Sequence, residues 1–238
     1  MPNSLNSFHL KLIAIVSMFI NHIGYIFKEE YAWPIWTFAY LSIGLLTYPI
    51  MAYLLVQGFH YTRNRWKYAG RMALFWILSI LPFHYAFGYS GAVNLVNNVM
   101  FTLMMGIFLM MACEKVINQP YQILLVCLFS LVTLQSDWAI IGIVMIYGFY
   151  ISQKKDWHPA WVIWLSAILL MLIFSTAIPD RSLLTGNVTI DSLSRLGILG
   201  TIPLLNCYNR QRGYNPLWVK WGFYCFYPLH LSLLALIL

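Results

Sequence analysis

Three side chains in this sequence have the chemistry to take, hold or deliver a proton inside an apolar setting. They are the imidazoles of His22 and His230 and the carboxylate of Asp137. A histidine titrates near neutral pH, so a positioned imidazole can serve as a general base. His22 follows Asn21 in SMFINHIGYIF (17–27), and His230 sits in FYCFYPLHLSLLALIL (223–238). Both stretches are otherwise apolar, and polar groups there are costly in lipid unless they meet partners or water. Asp137 stands in QSD, between two apolar runs. Asn97 and Asn98 in NLVNNVMFTL and His84 in LPFHYAFG complete the set. His84 is equally well explained by a bond to a neighbouring carbonyl, and Asn98 by helix capping or helix–helix bonding.

A second chemistry is written in basic clusters. HYTRNRWKYAGR carries Arg63, Arg65, Lys67 and Arg71, and YNRQRGYN carries Arg210 and Arg212. Guanidinium groups grip phosphate oxygens in a planar fork. The same charges also suit topology signals or anionic lipid heads, and the spacing leaves both readings open. No phosphate-cradling glycine loop is present, so nothing supports nucleotide hydrolysis or a dinucleotide fold. Cys113, Cys127, Cys207 and Cys225 are widely spaced, form no metal set, and read as small hydrophobes packed between helices.

The elements that must position these groups are apolar helices. Of 238 residues, 61% are hydrophobic and 9% charged, against about 25% charged in an ordinary soluble domain. The 10 Trp and 16 Tyr are types favoured where membrane meets water. The expectation is an all-α, polytopic membrane helix bundle forming a single domain over 1–238. Its spans fall near 10–27, 36–59, 72–88, 95–113, 121–135, 138–152, 160–178, 190–206 and 218–238. The first reads as a retained helix, not a cleaved signal. The fifth and sixth are short, and a re-entrant hairpin there would lower the number of spans from nine to seven.

Orientation follows from basic residues in short loops. With the N-terminus in the cytoplasm, that side collects eleven: Lys11, Arg63, Arg65, Lys67, Arg71, Lys115, Lys154, Lys155, Arg210, Arg212 and Lys220. The far side holds three: Lys28, Arg181 and Arg195. This bias accounts for the net charge of +7 without nucleic acid as a partner, and puts the C-terminus outside. At about 1.5 Å per residue, His22 lies roughly 16 Å beyond Lys11, past the bilayer centre. The same placement puts His84, Asn98, Asp137 and His230 at or beyond the middle, towards the outer side.

The order LKLIAIVSMFINHIG, YPIMAYLLVQGFHYTRNRWKYAGR, NNVMFTLMMGI, SDWAIIGI, YNRQRG and FYPLHL resembles the TraX family of bacterial membrane proteins over nearly the whole chain. The resemblance implies a multi-pass protein of the bacterial inner membrane. The implied activity is acetylation of the N-terminus of a conjugative pilin, or a role in fimbrial assembly, with acetyl-CoA as co-substrate. The family's Asp-His in the first helix falls on Asn21 and His22, so the acid is an amide here. Its Asn-x-x-Phe-Thr segment falls on Asn98, Phe101 and Thr102. The acid of its Asp-Tyr-Gly-like turn falls on Asp137, with Trp138 in place of Tyr. Its Tyr-Pro-Leu-His falls on Tyr227, Pro228, Leu229 and His230. Gln57 stands where members often show Glu.

On that resemblance, Arg63, Arg65, Lys67, Arg71, Arg210 and Arg212 would hold the phosphates of acetyl-CoA, with no metal required. His22, His230 and Asp137 would handle the acceptor's proton, and Asn98 or Tyr227 would donate to the developing oxyanion. Pilin or a fimbrial subunit is the expected acceptor, with membrane lipid as the surroundings. A hydroxyl on an envelope glycan or lipid is the alternative acceptor. A transporter or assembly scaffold is the non-enzymatic reading.

Overall fold

The computed structural model of the chain describes residues 4–27, 34–176 and 192–237. Lys28 and Arg181, used above for orientation, and the first two residues of the 190–206 span lie outside them. The described residues are helical, apart from turns, loops and one isolated parallel bridge between Leu5 and Tyr208. The helices are α1 (Ser7–Ile26), α2 (Pro34–Gly44), α3 (Thr47–Tyr61), α4 (Arg65–Ala86), α5 (Val99–Lys115), α6 (Gln119–Val132), α7 (Ala139–Lys154), α8 (Ala160–Thr176), α9 (Thr201–Asn206) and α10 (Leu217–Ile237); a 3-10 segment, Arg195–Gly200, precedes α9.

Two stretches among the described residues, Ser7–Ile26 and Pro34–Tyr61, are long and apolar enough to cross a membrane. Gln119–Val132, Ala139–Lys154 and Ala160–Ile173 are apolar but shorter. The expected single helix over 36–59 is broken instead, at Leu45 and Leu46. Leu46 N–H donates to Ile43 O in a tightened turn, and Pro49 has no N–H to offer the Leu45 carbonyl. The 190–206 span is likewise no uniform α-helix where it is described, because 3-10 geometry occupies Arg195–Gly200.

Side-chain caps account for the starts of α1 and α4. Asn6 accepts from His9 N–H at 3.1 Å, and His9 Nδ1 accepts from Asn6 N–H at 3.4 Å, closing a reciprocal box before α1. Asn64 accepts from Lys67 N–H at 2.9 Å before α4. This cap starts α4 seven residues ahead of the expected 72, so Arg65, Lys67 and Arg71 stand on a helix and not in a loop.

The chain divides into two compact units. The first is Met1–Met51 with His158–Pro216, and the second is Ala52–Trp157 with Leu217–Leu238. In the first, α1 packs on α2, and the 3-10 segment packs on α2 and α8. A Cβ on Gly44 would run into the Asn21 side chain, so the missing side chain is what lets α1 and α2 approach. Small residues serve this purpose in membrane helix pairs.

In the second unit, α4 packs on α10 and α5, and α5 also packs on α6 and α7. Enclosed on all sides, α5 is apolar all round. Its C-terminal carbonyls are closed by Gln122 of α6, whose Nε2 donates to Cys113 O at 3.0 Å and Val116 O at 2.6 Å. Tyr147 of α7 donates in turn to Gln122 Oε1 at 3.1 Å. Cys113 is buried in this packing, whereas Cys127 is exposed on α6 and does not pack between helices as expected.

Candidate functional site

The start of α5 is where the second unit gathers its polar groups. Asn98 is fully buried and caps α5, its Oδ1 accepting from Met100 N–H at 3.1 Å. Its Nδ2 donates to Trp76 O at 3.3 Å and to Asn97 Oδ1 at 3.1 Å. Asn97 Nδ2 donates to Ile80 O at 3.2 Å. The pair therefore fastens the opening of α5 to the middle of α4, not to its end. Counting about 1.5 Å per residue, Trp76 lies roughly 16 Å and Ile80 roughly 22 Å along α4 from Arg65.

The turn carrying Asp137 comes to the same level. Ser136 Oγ and Thr102 Oγ1, on the first turn of α5, are 2.6 Å apart and buried. Asn94 Nδ2 donates to Gln135 O at 3.3 Å. The level follows from helix length: α6 has 14 residues and α7 has 16, about 21 and 24 Å. Asp137 joins two helices shorter than full spans, as the expected short fifth and sixth segments allow. The turn is conformationally tight, since Ala139 has a φ of 37°, a region that disfavours side chains with a Cβ. The Asp137 side chain is exposed at this turn.

Helix α10 brings in Tyr227 and His230. The Tyr224 ring stacks on Phe75 of α4 at 5.3 Å, and its phenol hydrogen-bonds Arg71. This sets α10 beside α4 with Tyr227 level with the start of α5. The buried Tyr227 phenol lies at the Val99 backbone amide and within electrostatic reach of Asp137. His230, one turn on, is buried with its ring stacked on Phe226 at 4.7 Å. Its Nδ1 lies 2.8 Å from Phe226 O. A carbonyl can only accept, so Nδ1 carries the proton and the basic lone pair is on Nε2.

Asn98, Asp137 and Tyr227 thus belong to one level of the second unit, and His230 lies one turn beyond Tyr227 on α10. Ser136 and Trp76 join them without having stood out in the sequence. Ser136 is one of many serines, and Trp76 enters through its backbone carbonyl and an Nε1–H donated to Leu95 O at 2.7 Å. His84 is buried beside the rings of Tyr85 and Tyr89. Gln57 is buried too, and its Nε2 donates to the Tyr53 hydroxyl at 3.2 Å.

Asn21 and His22 belong to the first unit. His22 is buried in α1. Asn21 Nδ2 donates to Tyr40 O of α2 at 3.2 Å, with Gly44 making room for the side chain.

The basic residues divide the same way. In the second unit, Arg65 is ion-paired with Glu114 and lies 4.2 Å over the Phe59 ring. Arg71 lies 5.4 Å over the Tyr68 ring in addition to its Tyr224 bond. Arg63 and Lys67 have exposed side chains and are better placed to meet a phosphate. In the first unit, YNRQRG clasps the start of α1. Leu5 N–H donates to Cys207 O at 3.0 Å, Asn209 N–H to Leu5 O at 2.8 Å, and Ser7 N–H to Gln211 O at 2.8 Å. The Ser7 and Tyr208 hydroxyls are 2.7 Å apart. Within the clasp, exposed Arg210 has a φ of 61°, unusual for a long side chain, and Arg212 is exposed as well.

No solved structure matches the chain. Among curated proteins it is similar to the probable fimbrial assembly protein FimC, serogroup H1, of Dichelobacter nodosus. The two are 27% identical over 241 residues, covering 97% of this chain and 94% of that protein. The family described as TraX protein matches residues 7–238. That match runs through α1, the cap of α5, the Asp137 turn and the closing Tyr-Pro-Leu-His, and the chain belongs to the TraX family.

Proposed function

We propose that the chain is a multi-pass protein of the bacterial inner membrane that transfers an acetyl group from cytoplasmic acetyl-CoA to the N-terminal amine of a pilin or fimbrial subunit. The observation that carries this reading is the meeting of Asp137, Tyr227 and the start of α5 at one level of the second unit, with His230 one turn further along α10. Membership of TraX and the relative named for fimbrial assembly support the pilus context.

Arg63 and Lys67 sit at the end of the unit rich in Lys and Arg and would meet the donor's phosphates. From Arg65 to the level of Trp76 is roughly 16 Å along α4, a length an extended pantetheine arm covers. Arg65 and Arg71 would shape that entrance through their bonds to Glu114 and Tyr224. Arg210 and Arg212 remain candidates for phosphate in the first unit.

His230 Nε2 would take the proton from the acceptor ammonium, and Asp137 would hold that cation before it is deprotonated. The amine then attacks the thioester carbonyl. A C–N bond forms, the C–S bond breaks, the thiolate leaves to be protonated by the imidazolium, and the second proton of the attacking nitrogen passes to the Asp137 carboxylate and on to water as the adduct collapses. Tyr227 O–H would donate to the oxyanion formed between these steps. Asn98 acts in this scheme through the α5 opening that it holds, since its amide bonds Trp76 O and Asn97. His22 is a second candidate base, in the first unit. Transfer to a glycan or lipid hydroxyl would use the same groups.

Purified protein in lipid nanodiscs, given labelled acetyl-CoA and a pilin N-terminal peptide, tests the reading. Label should pass to the peptide and be lost with His230→Ala or Tyr227→Phe. No transfer by the well-folded protein, or full transfer by both His22→Ala and His230→Ala variants, would overturn it.

A further inference from the structure

We propose that the second unit contains a water-filled vestibule that opens on the outer face and reaches mid-membrane, ending at Asp137 and the start of α5. The inference rests on the membrane reading above and adds the route by which the hydrophilic end of the acceptor arrives.

Two non-helical segments carry the argument, 87–98 and 133–138. Asn97 and Asn98 fix the first to Ile80 O and Trp76 O, and Trp76 Nε1 holds Leu95 O. Helix α4 continues past Trp76 to Ala86, roughly 15 Å further. The backbone of 87–98 therefore descends from the end of α4 to its middle before α5 begins. The second segment is tied to it by Asn94 to Gln135 O and by the Thr102–Ser136 pair. The last residues of 87–98 and the whole of 133–138 thus lie well inside a hydrocarbon layer about 30 Å thick.

Lipid cannot satisfy irregular backbone, which persists at membrane depth only inside protein or beside water. At that depth they are not enclosed by protein: Gln135 and Asp137 are exposed and Leu95 is 62% exposed, while Ser90, Gly91 and Ala92, exposed nearer the end of α4, line the way in. A carboxylate at that depth adds several kcal/mol of cost unless solvated or paired. Water is the partner that meets both demands.

Charge gives the direction. Neither 87–98 nor 133–138 contains a Lys or Arg. The opposite ends of the same helices carry Arg63, Arg65, Lys67, Lys115, Lys154, Lys155 and Lys220. Basic residues stay in the cytoplasm, so the vestibule opens away from it. Helices α6 and α7 then form a hairpin that enters the membrane from the cytoplasmic side and turns back.

Single cysteines at Gln135, at Ala92 and, as a cytoplasmic control, at Asn118 test this in spheroplasts. A membrane-impermeant cationic methanethiosulfonate is added outside, and remaining thiols are counted with a maleimide mass tag after denaturation. The tag should be lost at Gln135→Cys and Ala92→Cys in intact spheroplasts, and at Asn118→Cys only after permeabilisation. Wild-type protein supplies the background of the four native thiols. If Gln135→Cys behaves like Asn118→Cys, the opening faces the cytoplasm; if it stays tagged in both conditions, no water reaches the turn. Either outcome overturns the proposal. Labelling needs neither acetyl-CoA nor acceptor, so its failure leaves the transfer reading standing, and failure of transfer leaves the vestibule standing.

Discussion

Two adjacent polar pairs, Asn21–His22 in α1 and Asn97–Asn98 before α5, look alike in the sequence and do different work. In α1 the helix runs straight through the pair, and Asn21 reaches sideways to Tyr40 O over Gly44. Its amide joins two helices where apolar contact alone gives little driving force in lipid. At Asn97–Asn98 the pair starts a helix, and both amides hold that start against the middle of α4. A helix beginning inside a bundle brings unsatisfied N–H groups and a partial positive charge to that depth. Tyr227 and Asp137 are found there. The contrast teaches that the depth of a polar residue says less about function than whether the backbone is interrupted beside it.

Breaking the second pair should have the larger effect. Asn98→Ala removes a helix cap and leaves Asn97 short of a buried partner, which together should cost about 2–3 kcal/mol. Chemical unfolding in mild detergent would read this, and a loss below about 0.5 kcal/mol would deny that the cap holds α5 in place. Gly44→Ala should cost about 1–3 kcal/mol, because the added methyl meets Asn21. In the Asn21→Ala background that cost should shrink by more than about 0.5 kcal/mol. Additive effects would mean that Asn21 is not the packing partner.

The smallest effect is at Ala139. With φ at 37°, Ala139→Gly should stabilise by about 0.5–1 kcal/mol through relief of the left-handed strain. A thermal melt no higher than wild type would indicate that the turn is not held in that conformation.

Much of this was legible in the sequence. Hydropathy located the helices from α1 to α8 within a few residues in most cases. His22, His84, Asn98, Asp137 and His230 stood out as polar groups expected at one depth, whereas Tyr227 entered only through the resemblance to TraX. The break at Leu45–Leu46 was not legible, because Gly44, Leu45 and Leu46 keep the hydropathy unbroken and Pro49 is tolerated in the first turn of α3. The inward start of α5 was hidden for a different reason. A hydropathy profile records where a helix begins along the chain, and the depth of that point depends on which α4 carbonyls Asn97 and Asn98 find. Arg65 and Arg71 looked as available as Arg63, since their partners Glu114 and Tyr224 are 49 and 153 residues away in the numbering.

The account's central claim is that Asp137 and Tyr227, with His230 one turn further along α10, perform acetyl transfer to a pilus subunit. Intact-mass measurement of the pilin from cells with the protein present, deleted, or carrying His230→Ala tests it most directly. The account predicts one acetyl group on the pilin N-terminus with the intact protein and none in the other two strains. An identical pilin mass in all three would contradict it.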